Sequence, residues 1–426
     1  MKVLMFGWEF PPFSYGGLGT ACRGIVEGLS HHDVHLTLVL PKANNIRTEK
    51  LHISGADDLL NGTSKKIINK LRLIHIDSKL NPYMTAEAYL EQLNPHHLNN
   101  LSSLIRTNSP HQTPYGKNLF EEISRYAQKA AIISKNHEHD IIHIHDWLTM
   151  PAGVMAKKTS GKPLISHIHA TEFDRTGDNP HQEVYDIERK GMEASDHIIA
   201  VSEFTKQKII QNYGISPDKI TVVHNAVLKE KEYFKLQPQI ENQDPVILFL
   251  GRMTLQKGPE YFLHMAKQVL EKEPKAKFVM AGDGDMMHRM IELSTELRIA
   301  KNVLFAGYLS GPEIDKAYAN ADLYIMPSVS EPFGITPLEA IKNGTPVMIS
   351  RQSGVSEVIR NALRVDFWDI EEMANKTLAV IHYKKLREFL IQESQKDLDQ
   401  LSWKNQAGLI RGVYHHVQKN SLQAIS

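Results

Sequence analysis

The chain has 426 residues, more than one ordinary core holds, so its length alone predicts about two to three domains. Lysine plus arginine and aspartate plus glutamate both number 49, so no net field favours nucleic acid or an anionic membrane. A single cysteine, Cys22, excludes an internal disulfide and fits a reducing compartment. Since neither a signal-peptide core nor an apolar run of about 18 residues occurs, we expect a cytoplasmic protein, with peripheral membrane contact still open.

The chain opens with a short apolar run at residues 3–6, which predicts a buried parallel strand. A glycine-rich loop at residues 11–20 leads into a predicted helix at residues 21–29, where Cys22 is interpreted as a small packing residue rather than a nucleophile. Strand, glycine loop and helix together let backbone N–H groups approach a diphosphate. The alternative is a glycine turn needed only for positive φ. A second strand is expected to end at Pro41.

Residues 43–118 are interpreted as an insertion that decorates the first domain. Polar stretches there surround a possible strand at residues 71–76. This insertion is a candidate region for acceptor recognition. Apolar residues at helical spacing from residue 119 to 131 then predict a core-facing helix.

Two predicted strands, at residues 140–147 and 163–170, each carry a pair of histidines. Period two places the members of a pair on one face, with the later histidine at the carboxyl end of its strand. Because ligands bind beyond those ends in open α/β sheets, His145 and His169 are expected to line a cleft. His143 and His167 are interpreted as satisfied core residues or as residues that contact and support the cleft pair. With neither a third-ligand motif nor a supporting cysteine, no metal site is predicted.

The second half repeats the same alternation after a charged, aperiodic segment at residues 233–244, which is interpreted as a linker. Further strands are predicted near residues 246, 278, 302, 321 and 346. Strands that alternate with helices in this way predict an α/β protein with two doubly wound, Rossmann-like parallel sheets that face a cleft. The cleft is the expected ligand site.

The stretch at residues 326–340 contains two carboxylates, Glu331 and Glu339, eight positions apart. Between them lies a turn and a helix start, with Thr336 as the expected cap and Pro337 at the first helical position. The amino end of a helix suits a phosphate. The alternative is an ordinary strand-to-helix turn with Glu339 on a solvated face.

Arg252 and Lys257 lie five residues apart in a strand-to-helix loop. Two fixed cations beside helix amino ends would hold a pyrophosphate and stabilise the charge that it gains when a bond to it breaks. The alternative is a pair of solvated surface cations. The acidic pair in residues 283–285 is interpreted as part of a turn rather than as a metal motif.

These segments make the chain resemble the retaining nucleotide-sugar glycosyltransferases of the GT-B superfamily, of the family 4 type. The resemblance is carried by residues 16–19, 143–147, 251–258 and 330–340. The first two segments point toward the bacterial glycogen and starch synthase branch. Those synthases carry lysine where this chain has Ser14, so ADP-, UDP- and GDP-linked donors all stay open.

The resemblance also implies a domain plan. Residues 1–232 form an acceptor-side domain with the insertion at about 43–118, and the linker at 233–244 follows. Residues 245–405 form the donor-binding domain, and a final helix at 406–426 packs back on the first domain. The two domains are expected to close on the donor.

The resemblance implies a role for each of several residues. The catalytic residues it implies are His145, Glu331, Arg252 and Lys257. The donor-binding residues it implies are Gly17, Leu18, Arg252, Lys257, Gly282, Tyr308, Gly334, Ile335, Thr336 and Glu339. The acceptor side is assigned to Glu9 and His169.

Within these assignments, Arg252 and Lys257 bind the diphosphate, and Glu339 holds the ribose hydroxyls. Glu331 contacts hydroxyls of the donor sugar, the base packs near Tyr308, and His145 lies at the reacting centre.

The activity implied by the resemblance is transfer of a sugar, with glucose favoured, from a nucleotide sugar to an acceptor, with retention of configuration. An α-1,4-glucan is the favoured acceptor. No cofactor and no metal are expected beyond the donor itself. The alternatives are transfer to cell-envelope glycans or lipids, a nucleotide-sugar 2-epimerase, and a non-catalytic nucleotide-sugar sensor.

Overall fold

The computed structural model describes residues 1–11, 16–42, 71–77, 117–227 and 244–423. Most of the predicted insertion, nearly all of the predicted linker, and Ser14 lie outside these ranges. The described residues form two α/β units, one up to residue 227 and one from residue 244, which we call the first and second units. Within these ranges, no helix is both long and apolar enough to cross a membrane.

The first unit is built on a sheet of seven parallel strands. They are β1 (Lys2–Phe6), β2 (His35–Lys42), β3 (Leu71–Asp77), β4 (Ile141–His145), β5 (Leu164–Ile168), β6 (His197–Ala200) and β7 (Ile220–Val222). Their order is β3-β2-β1-β4-β5-β6-β7. The possible strand at residues 71–76 is therefore confirmed, and it pairs with β2.

The second unit is built on a sheet of six parallel strands. They are β8 (Val246–Leu250), β9 (Lys277–Ala281), β10 (Val303–Gly307), β11 (Leu323–Met326), β12 (Val347–Ser350) and β13 (Leu363–Val365). Their order is β10-β9-β8-β11-β12-β13. The predicted architecture of two doubly wound parallel sheets is confirmed. Strand order reverses between β1 and β4 and between β8 and β11, and crevices for ligands open at such switch points.

Helices flank both sheets. In the first unit they are α1 (Gly17–Ser30), α2 (Lys117–Asn136), α3 (Asp146–Ser160), α4 (Glu172–Thr176), α5 (Gln182–Ala194) and α6 (Glu203–Tyr213). From residue 259 on they are α7 (Pro259–Lys272), α8 (Met287–Glu296), α9 (Pro312–Ala319), α10 (Thr336–Lys342), α11 (Ile370–His382), α12 (Lys384–Gln400) and α13 (Trp403–Gln423).

Three element boundaries differ from the prediction. Strand β2 continues through Pro41. Strand β1 pairs with β2 only as far as Val39, so at Pro41 only β3 pairs with the strand. Proline has no N–H and is tolerated where one side of a strand is unpaired. Helix α1 begins at Gly17 instead of residue 21, since Gly16 is its extended cap residue. Strand β4 stops at His145, because Asp146 adopts a φ of 56°, which a strand cannot contain.

The two units share buried apolar surface. One contiguous core cluster contains Val201 and Val223 from the first unit together with Phe333 and Val355 from the second. Burial of apolar side chains across a boundary is the main force that holds such units together. The carboxyl edges of the two sheets are therefore held against each other in this conformation.

Helix α13 returns to the first unit and packs on α1. The Trp403 indole covers Gly24, where an added Cβ would lie 2.0 Å from its Cε2 atom, and the Trp403 carbonyl covers Gly28 in the same way. Further along α13, the Tyr414 hydroxyl lies 2.6 Å from His143 Nδ1. Two glycines four residues apart thus form the groove that admits the tryptophan.

Candidate active site

The loop after β8 approaches the loop after β11 because the two strands are neighbours in the second sheet. A short 3-10 turn, Leu255–Lys257, ends at Gly258, whose φ is 63°. A Cβ at Gly258 would lie 2.2 Å from the Pro327 carbonyl oxygen. The Val329 N–H also donates to the Gln256 carbonyl at 2.9 Å. Glycine is therefore required where the two loops meet.

This approach brings Lys257 and Glu331 together. The Lys257 ammonium lies 2.5 Å from Glu331 Oε2, and the two side chains are 22% and 8% exposed. The Ser328 hydroxyl donates to the same oxygen at 3.2 Å. Two residues that are 74 positions apart, both assigned from the sequence, therefore form an ion pair at the carboxyl edge of the sheet.

The backbone of the Glu331 loop is fixed from both sides. The Glu331 N–H donates to the Gln352 carbonyl at 2.9 Å, and its own carbonyl accepts from the Gly354 N–H at 3.0 Å. From the first unit, the Ser202 hydroxyl donates to the Pro332 carbonyl at 2.5 Å. The orientation of this loop therefore depends on contacts from both units.

The start of α10 differs in detail from the prediction. Ile335 is the cap residue and Thr336 the first helical residue, and the Thr336 side chain makes no cap bond. Its Oγ1 atom instead lies 2.8 Å from the Tyr324 hydroxyl. Glu339 falls in the first turn of α10. Its early position leaves Glu339 close to the loop.

Glu339 is half-buried, and Tyr318 donates a hydrogen bond to its Oε2 at 3.3 Å. Burial raises the pKa of Glu339, although the Tyr318 hydrogen bond and the charge of Lys342 lower it in part. Such a carboxyl, next to the loop and partly open, is suited to accept hydrogen bonds from ligand hydroxyls.

The other residues that the sequence assigns to donor binding lie at the same sheet edges, although they do not all contact one another. Gly282 has a φ of 127°, and a Cβ there would lie 2.0 Å from the Gly251 carbonyl. Gly334, with a φ of 102°, lies against Glu331 and Met326. Tyr308, 65% exposed, follows β10, and Arg252 is exposed in the loop after β8.

At the amino end of α1, Gly17 is exposed and Leu18 is half-buried against the core. Neither makes a hydrogen bond to Lys257 or Glu331 in the part of the chain that the structure describes. Their placement at the start of a helix that follows β1 is nevertheless the one expected from the sequence. Glu9 is buried just after β1.

The facing edge of the first unit carries a stack of four imidazoles. His143 and His167 are stacked with ring centroids 5.4 Å apart and planes 5° apart, and the centroids of His167 and His169 are 4.5 Å apart. His145 Nδ1 lies 3.0 Å from His169 Nε2. Period two along neighbouring parallel strands produces this stack, because β4 pairs with β5 and aligns His145 with His167.

Burial keeps these rings neutral. It lowers the pKa of His143 to about 3, with a smaller effect from His169, and it also lowers the pKa of His169 to about 3. The pKa values of His145 and His167 are likewise lowered well below the usual range, mainly by burial. At neutral pH all four side chains therefore present uncharged nitrogens.

His143 and His167 are buried and contact the cleft histidines, as predicted, but their ring nitrogens are not all satisfied. Among the described residues, five nitrogens of the stack have no hydrogen-bond partner: His143 Nε2, His145 Nε2, both nitrogens of His167, and His169 Nδ1. Buried polar atoms are normally paired. The sequence pattern shows which face the rings share but not whether donors and acceptors reach them.

Asp146 ties the ends of β4 and β5 together. Its Oδ1 accepts from the N–H groups of His169 at 2.6 Å and Ala170 at 3.3 Å. Burial raises the pKa of Asp146 to about 6, despite the opposing charge of Arg175. The positive φ of Asp146 thus turns its carboxylate toward the end of β5, where it holds the backbone of His169.

A cluster that the sequence analysis missed connects this edge to the Glu331 loop. Asp174 is buried, and its Oδ1 accepts from Lys208 Nζ at 2.7 Å and from Ser330 Oγ at 2.6 Å. Its other oxygen accepts from Thr171, which completes a capping box at α4. The Thr-x-x-Asp spacing is a readable signal for the cap. Its partner Ser330 lies 156 residues away and gives no local signal.

Behind this cluster lies a second group of buried charges. Arg175 Nη1 contacts Glu172 Oε2 at 3.3 Å and Glu188 Oε1 at 3.0 Å, and the Tyr213 hydroxyl donates to Glu188. Burial raises the pKa of Glu188 to about 7, and Arg175 only partly offsets it. Below about pH 7 the neutral form of Glu188 is therefore favoured in the folded state.

Replacing Glu188 with glutamine should change how stability depends on pH. Because the folded-state pKa is raised, the stabilisation linked to the proton is fully present below about pH 4, the unfolded value, and is lost as pH rises to about 7. Glutamine has no such proton. We therefore expect the unfolding free energy of Glu188→Gln, relative to the parent, to rise by about 2–3 kcal/mol between pH 5 and pH 8.

Urea denaturation at both pH values measures this difference. The matched control is Glu193→Gln on the same helix, whose side chain is 52% exposed and paired with Arg189. Its difference from the parent should not change with pH. A difference for Glu188→Gln that is equally independent of pH would contradict the raised pKa.

Comparisons with known proteins agree with this arrangement. The profile of Glycosyltransferase Family 4 matches residues 91–230, and that of Glycosyl transferases group 1 matches residues 230–397. An uncharacterized glycosyltransferase of Methanocaldococcus jannaschii is 29% identical over 97% of this chain and 98% of its own. The glycogen synthase of Mycobacterium tuberculosis is 23% identical over 85% of this chain and 80% of its own.

Solved structures also share this fold. The Anabaena protein HepE, solved in complex with UDP-glucose, covers 98% of this chain and 100% of its own with a TM-score of 0.68 at 18% identity. Two doubly wound sheets whose carboxyl edges face each other are the architecture of the GT-B fold class. The chain belongs to the glycosyltransferases of this class, with a family 4 domain followed by a group 1 domain.

Proposed function

We propose that this glycosyltransferase moves a hexose, with glucose favoured, from a nucleotide sugar to a carbohydrate acceptor and retains the anomeric configuration. An α-1,4-glucan is the favoured acceptor. The observation that carries the proposal is the Lys257–Glu331 ion pair, which lies at the switch point of the second sheet and in a loop held by the first unit. The name of the mycobacterial relative supports the glucan, and the HepE complex supports a nucleotide-linked glucose.

In this proposal Lys257 and Arg252 bind the diphosphate of the donor. Charge develops on the phosphate oxygens as the glycosidic bond breaks, so cations fixed beside them stabilise the transition state more than the ground state. The Lys257 side chain is 22% exposed, so part of it faces solvent. The amides of Gly17, Ile335 and Thr336 would add hydrogen bonds to the same phosphates.

Glu331 would accept hydrogen bonds from hydroxyls of the donor sugar. Its carboxylate is held by Lys257 and Ser328, so its position is fixed before the sugar binds. Preorganised acceptors of this kind orient the sugar without a reorganisation cost during reaction. Leu18, Gly282 and Gly334 would complete the donor surface, with the two inner glycines leaving room for a close approach.

The remaining part of the donor would lie along α10 and the loop after β10. Glu339 would accept the ribose hydroxyls, and the exposed ring of Tyr308 would stack on the base. These contacts lie away from the breaking bond. They should therefore contribute binding to the ground state and transition state alike.

Glu339→Gln is accordingly expected to raise the KM for the nucleotide sugar by about tenfold and to leave kcat within about twofold, because uniform binding is lost. Steady-state kinetics with varied donor and saturating acceptor measure both constants. The control is Glu313→Gln on the neighbouring helix α9, an exposed carboxylate that should change neither. A large fall in kcat with unchanged KM would contradict the ribose assignment.

On the acceptor side, His145 would lie at the reacting centre, with His169 and Glu9 beside the incoming hydroxyl. A neutral imidazole can donate or accept one hydrogen bond at each nitrogen, so His145 can orient a hydroxyl without carrying charge. In a front-face reaction the departing phosphate oxygen takes the proton of the acceptor hydroxyl. The lowered pKa of His145 fits this division, because a ring that stays neutral does not compete for that proton.

The test is a panel of ADP-, UDP- and GDP-glucose crossed with glycogen, maltooligosaccharides and lipid acceptors. We expect nucleotide release only when an acceptor is present, and an α-linked product by NMR. Transfer only to lipid acceptors would replace the glucan assignment. Conversion of the donor without an acceptor would instead support a 2-epimerase, and binding without turnover a sensor.

A further inference from the structure

Cys22 lies beside the two cleft histidines. It is buried in α1, and its sulfur and one ring nitrogen from each of His145 and His169 all lie within 4.8 Å of one another. The two imidazoles are already in contact, with 3.0 Å between His145 Nδ1 and His169 Nε2. No local sequence signal connects Cys22 to the histidines, because Cys22 precedes His145 by 123 positions and only the fold brings them together.

The chemistry of these three donors is that of a site for a borderline-soft divalent ion. Zinc binds imidazole nitrogen at about 2.0–2.1 Å and thiolate sulfur at about 2.3 Å in tetrahedral geometry, which places ligand atoms about 3.4 Å apart. The nitrogens at 3.0 Å would separate slightly and the sulfur would approach. The sulfur lies within 4.8 Å of both nitrogens, so it would approach them by up to about 1.4 Å.

A second trio, His143, His145 and His167, is equally close but less suited to a metal. Imidazole lone pairs lie in the plane of the ring, and the planes of His143 and His167 are stacked at 5°. Their lone pairs therefore run parallel and do not converge on one ion. In addition, His143 Nδ1 is already bonded to Tyr414. The planes of His145 and His169 are inclined at 34°, which permits convergence.

The surroundings of the Cys22 trio favour a cation. Burial, together with the nearby carboxylates of Asp146 and Glu9, raises the pKa of the Cys22 thiol well above its usual range, so a thiolate there needs a cation in place of its proton. Arg175 lies 4.0 Å from Asp146 and offsets part of the negative charge. His169 is half-buried, which leaves a path from the cleft. Three protein ligands with one open position is the arrangement of zinc sites that keep an exchangeable ligand.

We propose that Cys22, His145 and His169 bind one Zn²⁺-class ion, and that the bound ion blocks sugar transfer. On binding, the thiol loses its proton to solvent and a Zn–S bond forms. The proton between the two imidazoles moves to the other nitrogen of its ring, so both rings stay neutral. The block rests on the proposed function, because the ion would occupy the imidazole assigned to the reacting centre.

Titration of the full-length protein with Co²⁺ alone tests the site directly. Cys22 is the only cysteine, so a thiolate-to-cobalt charge-transfer band reports on this residue and on no other. We expect the band to saturate at one equivalent and to be absent in Cys22→Ser. In His169→Gln the Co²⁺ Kd should rise by at least about tenfold.

The control is His288→Gln, an exposed histidine on α8, which should keep the parent affinity. A missing band in the folded parent, or equal affinity in His169→Gln and the parent, would overturn the site. The second variant decides the question even if Cys22→Ser is unstable.

The block is tested by turnover with Zn²⁺. One equivalent should abolish transfer in the parent, a chelator should restore it, and Cys22→Ser should need at least about tenfold more Zn²⁺. Full turnover with the site saturated would overturn the block. If the parent turns over no donor, the proposed function fails, whereas the cobalt band still decides the metal site.

Discussion

Lys257→Ala is expected to lower kcat for sugar transfer by about 10² to 10³, because one fixed donor at the developing phosphate charge is lost. The change also removes the cation that holds Glu331, so the contact to the sugar is loosened at the same time. Single-turnover measurements at saturating donor separate this loss from weaker binding. Circular dichroism should show a folded protein, whereas thermal melting should show a lower midpoint because the buried Glu331 carboxylate loses its partner.

A matched lysine is available on the next helix. Lys267 is 44% exposed in α7 and pairs with Glu271 one turn away. Surface pairs of this kind contribute about 0–1 kcal/mol, so Lys267→Ala should keep parent activity. Full activity in Lys257→Ala would remove Lys257 from the site, and Glu331→Ala tests the other half of the pair in the same assay.

Asp174→Ala is expected to lower the unfolding free energy by about 3 kcal/mol or more, because removal of one partner from a buried ion pair leaves the other uncompensated. Lys208, its partner, is 20% exposed and can turn partly to solvent, so we expect a loss close to about 3 kcal/mol and not a larger one. The same change also removes the α4 cap and the bond to Ser330. Urea denaturation measures the loss.

Ser330→Ala separates stability from positioning. It removes one hydroxyl and should cost about 1 kcal/mol of stability. Since Ser330 directly precedes Glu331 and is held by Asp174 from the other unit, kcat should still fall while the donor Kd changes little. Unchanged kcat in Ser330→Ala would show that the cross-unit bond does not position the Glu331 loop.

The fold could be predicted because each strand is a short apolar run followed by turn residues. Parallel sheets place all carboxyl ends at one edge, so Lys257 and Glu331 could be assigned to a shared edge from their loops alone. The contact followed because β8 and β11 are neighbours. Strand limits were harder, since alternation runs past His145 and the sequence does not show the positive φ of Asp146.

The remaining contacts could not be predicted because they join positions far apart in the chain. Asp174 and Ser330 belong to different units, and Cys22 meets His145 only once α1 has packed on the first sheet. Periodicity assigns a residue to a face, whereas a bond between two faces depends on how the units dock. Whether hydrogen-bond partners reach the ring of His167 is likewise decided by packing and not by periodicity.

The return of α13 to α1 has a consequence for the order of folding during synthesis. The groove at Gly24 and Gly28 is covered by Trp403, and His143 by Tyr414, so the half that is translated first completes its core with residues that are translated much later. Until then that surface is exposed to solvent on the ribosome, while the second half, whose own sheet is contained in residues 246–365, can already close. Nascent chains released before residue 403 should therefore bind holding chaperones through the first half.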